Sequence, residues 1–147
     1  MRTVNIKNEK ETREFGLALA KELKPGAIVA LVGDLGTGKT TLTRYIAEGL
    51  GILEPIQSPT FTIIREHRTG RLPLFHFDVY RLEGPEDLFE LGYEDYFFGQ
   101  GVTIVEWADK VADLMPEDTL WIHINYKEQS GKDQIENDEG RTYTCTF

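Results

Sequence analysis

The residues with the most evident chemistry form a glycine-rich run that ends in lysine and threonine. Gly33-Asp34-Leu35-Gly36-Thr37-Gly38-Lys39-Thr40 fits G-x-x-x-x-G-K-[ST], the phosphate-binding P-loop, and Thr41 follows it. Glycines at 33, 36 and 38 let a backbone curl around an anion without Cβ interference. The loop N–H groups and the helix N-terminus behind them then present positive partial charge to phosphates. In such a loop Lys39 reaches the β and γ oxygens, and the Thr40 hydroxyl is a ligand for Mg²⁺. Leu35, Gly36, Thr37, Gly38, Lys39, Thr40 and Thr41 are therefore the candidate nucleotide contacts.

Two acids stand where a second part of such a site belongs. Leu72 to Asp78 is an apolar run closing on a carboxylate, and Gly101 to Glu106 is another. Ligands of open α/β sheets bind outside the carboxyl ends of the strands, which places Asp78 and Glu106 near metal and γ-phosphate. One can orient Mg²⁺ and the other the attacking water; spacing does not assign which. Ser58 and Thr60, on a loop with Pro55 and Pro59, offer hydroxyls for sensing a γ-phosphate, and a plain loop explains them equally well. Thr12 lies on a helix that ends beside the P-loop and can approach a base, although spacing alone favours an exposed helix position. His76 lacks the second His or Cys that zinc would need, so a hydrogen-bonded structural role is expected.

The elements that must position these groups are readable. Ala27 to Val32 is a short run rich in β-branched residues, hence a buried strand, and Thr40 to Leu50 reads as a helix closed by Gly51. Upstream, Thr3 to Lys7 reads as a strand, and Asn8 caps a helix to about Leu23 that Pro25-Gly26 terminates. Downstream come a hairpin (Thr62 to Arg68, then Arg71 to Val79), a helix opened by Pro85, and a helix over Ala108 to Leu114. Thr119 to Tyr126 and Arg141 to Phe147 read as antiparallel strands joined by a polar loop. The aromatic cluster over 88–98 fits core or a partner surface better than a cofactor box. The expected fold is α/β: one P-loop domain over 1–147, a mixed, mostly parallel sheet flanked by helices, with an antiparallel hairpin region.

Composition limits the function classes. With 16 Lys+Arg against 25 Asp+Glu, the chain carries a net charge of −9, which disfavours unaided binding to nucleic acid or anionic lipid. A lone cysteine, Cys145, excludes an intrachain disulfide framework and fits a reducing compartment. No apolar run suits a signal core or a membrane span, so a cytoplasmic location is expected.

Taken together, four stretches resemble the bacterial TsaE (YjeE-type) P-loop ATPases: Gly33 to Thr41, Ser58-Pro59-Thr60-Phe61, His76-Phe77-Asp78-Val79-Tyr80-Arg81-Leu82, and Val105-Glu106-Trp107-Ala108. The P-loop alone identifies only a superfamily; four motifs in order and spacing are specific. The resemblance extends from the N-terminal helix to the strand near residue 124. It implies slow ATP hydrolysis and a role in making threonylcarbamoyladenosine, the modified adenosine beside the tRNA anticodon. It further implies work with a threonylcarbamoyl transferase and that enzyme's inactive paralogue, so that tRNA is met only through partners. By the resemblance, Lys39 binds phosphates, Thr40 and Glu106 hold Mg²⁺, Asp78 is the Walker B acid, Thr60 lies in a switch-like loop, and Thr12 gains weight as a nucleotide contact. Tyr80 and Trp107 fall on family motifs without an assigned role, and nothing transfers to the tail after about Tyr126.

Rival readings differ in what they require. A small-molecule kinase needs an acceptor pocket and an arginine-bearing lid, which Arg65, Arg68 and Arg71 imitate from a hairpin. A GTPase needs an N-K-x-D segment that the sequence lacks. A nucleotide-gated binding module, in which hydrolysis only resets an interface, is compatible with the family role.

Overall fold

The computed structural model describes residues 2–59, 62–126 and 140–147. The chain opens with β1 (Arg2–Ile6) and α1 (Glu9–Glu22). Asn8 caps α1 as its type predicts: the side-chain oxygen accepts the Glu11 N–H at 3.0 Å, with Glu9 and Glu11 favourably placed in the positive first turn. β2 (Ile28–Val32) leads through the glycine loop into α2 (Lys39–Gly49). β3 (Ile64–His67) and β4 (Leu74–Asp78) form the expected antiparallel pair. β5 (Val102–Glu106), β6 (Leu120–Tyr126) and β7 (Arg141–Cys145) complete a sheet of order β1-β7-β6-β2-β5-β4-β3.

Parallel pairings join β6 to β2, β2 to β5 and β5 to β4, while the edges pair antiparallel. Only β3 and β7 run against the common direction, so the sheet is mixed and mostly parallel. Central parallel strands are covered on both faces and need continuous apolar sequence, which is why Ile28-Val29-Ala30-Leu31 is buried at every position. On one face α1 and α2 cover Leu31, Ile104 and Ile122 with Leu19, Leu42 and Ile46. Their backbones nearly touch. A Cβ at Gly49 would sit 2.5 Å from that of Ala20, and one at Gly16 2.7 Å from that of Tyr45. On the other face Phe77 and Val105 pack with Leu88, Phe97 and Val111.

Two expected helices differ in detail. The helix opened by Pro85 is broken at Gly92 (φ 68°), giving α3 (Glu86–Glu90) and α4 (Tyr93–Phe97). Glycine adopts the left-handed conformation without Cβ strain, so it is the natural break point. The segment Ala108–Leu114 is a 3-10 helix interrupted at Val111, too tight and short to be a regular helix. Residues 127–139, expected as a polar loop, lie outside the described residues.

Candidate nucleotide and metal site

The loop between β2 and α2 is shaped by what it must approach. Gly38 caps α2 with φ 103°, a conformation side chains rarely adopt, and Gly33 lies so close to β6 that a Cβ would meet the Ile124 carbonyl oxygen at 2.7 Å. The Thr37 hydroxyl donates to the Asp34 carbonyl at 2.8 Å, closing the turn between them. Lys39 is folded back on this loop. Its Nζ donates to the carbonyls of Gly33 (2.6 Å) and Asp34 (3.0 Å) and stands 4.0 Å from the centre of the Trp107 ring. Burial lowers the Lys39 pKa, against the opposing pull of Glu106, Asp78, Asp34 and Asp109.

The two acids arrive together because β4 and β5 are parallel neighbours in register, with Asp78 opposite Glu106. The Thr40 hydroxyl donates to both oxygens of Glu106, at 2.9 and 3.1 Å, and His76 Nε2 lies 2.5 Å from Oε2 of the same carboxylate. Asp78 accepts the Tyr80 N–H at 3.0 Å on one oxygen and the Ser58 hydroxyl at 3.4 Å on the other. Trp107, directly after Glu106, takes a left-handed backbone (φ 64°) while its N–H still bonds Leu31 O at 3.0 Å. Such strain in a non-glycine residue persists only where neighbours over-determine it. Here Lys39 packs on the Trp107 ring, and the Tyr80 ring is tilted against it at 4.7 Å.

Gly36, Gly38, Lys39, Thr40 and Thr41 line one cavity of about 360 Å³ with Ser58, Asp78 and Glu106. Thr12, Thr37, Gly38 and Thr41 line an adjoining recess of about 170 Å³ with Arg141 and Tyr143. The structure thus brings the sequence-predicted residues to one edge, with three qualifications. Leu35 also lines the first cavity but is 78% exposed. Thr12 is buried rather than exposed; it shares a hydrogen bond with Tyr143, which moderates the rise that burial gives the tyrosine pKa. Thr60 lies outside the described residues.

Two residues of the β6–β7 hairpin join the site without a signal in the sequence. Arg141 Nε donates to Thr37 O at 2.8 Å, the Tyr126 hydroxyl donates to Gly36 O at 2.8 Å, and the guanidinium lies 4.3 Å from the Tyr126 ring centre. They are opposite each other across β6 and β7, so this hairpin end grips the P-loop from outside. By contrast, two of the three hairpin arginines are engaged elsewhere. Arg71 bonds the carbonyls of Ala20 and Leu23, and Arg68 pairs with Glu66 at 2.7 Å.

The acid end of the cavity offers oxygen ligands, the hydroxyls of Thr40 and Ser58 and two carboxylates, the set a hard cation prefers. Among the described residues no three His, Cys, Asp or Glu side chains cluster closely enough to hold a metal alone. That fits Mg²⁺, which takes one or two protein carboxylates plus substrate phosphates and water.

Strand, glycine loop and helix, with two carboxylates on adjoining parallel strand ends, define a P-loop α/β protein. Comparison with known proteins narrows the class. Residues 6–135 match the profile of the family described as "Threonylcarbamoyl adenosine biosynthesis protein TsaE". The "tRNA threonylcarbamoyladenosine biosynthesis protein TsaE" of Bacillus subtilis is 47% identical over 129 residues, 88% of this chain and 78% of that protein. The Treponema pallidum protein of the same name is 41% identical over 124 residues, covering 84% of this chain and 90% of its own. The crystal structure of Bacillus subtilis YdiB superposes with a TM-score of 0.80 at 38% identity, covering 98% of this chain and 83% of that one. The chain belongs to the TsaE family, whose role lies in the biosynthesis of threonylcarbamoyladenosine in tRNA.

Proposed function

We propose that this chain binds ATP at the P-loop and hydrolyses it slowly with Mg²⁺, serving tRNA threonylcarbamoyladenosine formation alongside a threonylcarbamoyl transferase and its inactive paralogue in the cytoplasm. The observation that carries this reading is the Thr40–Glu106 contact at 2.9 Å, with Asp78 beside Glu106 in register. It joins the hydroxyl at the start of α2 to an acid from a strand end, the pairing that holds a cation against bound phosphates in P-loop NTPases. Mg²⁺ bound there would neutralise charge building on the β and γ oxygens. In the same reading Lys39 leaves the carbonyls of Gly33 and Asp34 for phosphate oxygens. Thr40 would turn its hydroxyl from Glu106 and offer its oxygen to the cation. Asp78, held by the Tyr80 N–H, orients the attacking water. The nucleoside belongs in the recess lined by Thr12, Thr41 and Tyr143. The net charge of −9 supports contact with tRNA through partners rather than directly.

The kinase reading loses two of its three candidate lid arginines, because Arg71 and Arg68 are engaged elsewhere. Phosphate release from ATP, measured for wild type, Lys39→Ala, Asp78→Asn and Glu106→Gln, tests the site. Wild type is expected to release phosphate slowly and only with Mg²⁺, and each variant to release less. Equal release by all four proteins would remove the assignment, and phosphate transferred to a metabolite would favour the kinase.

A further inference from the structure

We propose that His76 is a positioning residue for the cation site, holding the Glu106 carboxylate in the orientation from which it faces Thr40. This rests on the reading of Glu106 as a metal ligand. Alternation along β4 puts Leu74, His76 and Asp78 on one face, and along β5 it puts Val102, Ile104 and Glu106 on that same face. His76 is paired with Ile104, so its ring reaches diagonally to Glu106, two residues along the neighbouring strand. His76 is fully buried and Glu106 is 2% exposed, so water does not compete for this bond.

The carboxylate can only accept, so His76 Nε2 carries a proton. The other ring nitrogen, Nδ1, has no hydrogen-bond partner among the described residues. An apolar side chain between Leu74 and Asp78 would fill the same space without leaving a buried nitrogen unpaired. The feature gained for that cost is the fixed carboxylate. With Oε2 tied to the imidazole, the torsion of the Glu106 head group is set, and Oε1 is the oxygen 2.9 Å from the Thr40 hydroxyl. When that hydroxyl turns away, the His76 bond is the one that keeps Glu106 in place. Partners of this kind hold metal ligands in register, and their loss weakens metal binding by about 10–100-fold.

The test is Mn²⁺ affinity by electron paramagnetic resonance in the presence of ADP, with ADP affinity in EDTA measured alongside. His76→Met keeps the volume and removes the donor; His76→Gln returns an amide N–H close to the position of Nε2. The Mn²⁺ affinity of His76→Met should fall by about 10–100-fold, ADP affinity in EDTA should not move, and His76→Gln should recover most of the loss. If His76→Met does not fold, His76→Asn, whose amide is too short to reach Glu106, takes its place with the same expectation. Unchanged Mn²⁺ affinity in His76→Met or its substitute, or a His76→Gln protein as weak as either, would overturn the positioning role. Glu106→Gln separates the two levels. If it weakens Mn²⁺ binding while His76→Met does not, only this inference fails; if it too binds Mn²⁺ like wild type, the metal reading fails and takes this one with it.

Discussion

Replacing Gly33 by alanine gives a prediction whose size follows from the structure. The added Cβ would lie 2.7 Å from both the Ile124 carbonyl oxygen and the Thr37 hydroxyl oxygen, whereas ordinary contacts begin near 3.4 Å. Relief along the contact means the loop retreating from β6 by about 0.7 Å, the difference of those distances. Overpacking of this kind destabilises by about 1–3 kcal/mol, or about 2–12 °C in Tm for a chain of this length. The same retreat moves the loop amides. An N–H···O bond of about 2.9 Å stretched by that much ceases to be one. Losing one such bond to a phosphate, about 1.5–3 kcal/mol, weakens nucleotide binding by about tenfold or more. Gly70→Ala is the matched control. Its Cβ would clash with the Leu50 carbonyl oxygen, so stability should fall similarly. However, Leu50 ends α2, 11 residues and about 16 Å of helix from the loop. Thermal scans without nucleotide, and calorimetric ADP titration well below both midpoints, give the comparison. A Gly33→Ala protein that binds ADP like wild type, or a Gly70→Ala protein that loses as much affinity, would refute the reasoning.

Other outcomes follow from single contacts. Lys39→Met should weaken ATP binding by about 30-fold or more, the effect of removing one partner of a desolvated charge contact, read by calorimetry. Because burial lowers the Lys39 pKa, the unfolded chain binds more protons between that lowered value and the ordinary lysine value of about 10.4. Nucleotide-free wild type should therefore gain stability relative to Lys39→Met as pH rises through that window, measured by urea denaturation. Arg141→Leu, which removes the bond to Thr37 O, should weaken ADP binding by about fivefold, equally with and without Mg²⁺, from about 1 kcal/mol of lost loop ordering. Asn8→Ala should cost about 1 kcal/mol of stability through the lost α1 cap and leave ADP affinity unchanged.

What could be read from the sequence was local. β2, the glycine loop and α2 are contiguous, and each announces itself by periodicity or glycine spacing, as does the Asn8 cap. Asp78 and Glu106 were legible as strand ends, but their adjacency depends on β4 and β5 being neighbours in the sheet, which no local pattern states. The grip of Arg141 on Thr37 O spans 104 residues and needs the β6–β7 register, so the tail carried no hint of it. Thr12 read as exposed because its helix position is unremarkable; Tyr143, far along the chain, is what shares its hydrogen bond. The break at Gly92 was missed because α3 and α4 together keep a plausible apolar pattern across it.

The central claim is that a nucleotide held at Lys39 drives threonylcarbamoyladenosine formation. Cells depleted of the native protein and complemented with wild type or Lys39→Ala at equal protein level test it directly, with mass analysis of tRNA nucleosides as the readout. Wild type should restore threonylcarbamoyladenosine and Lys39→Ala should not; equal restoration by both would contradict the account.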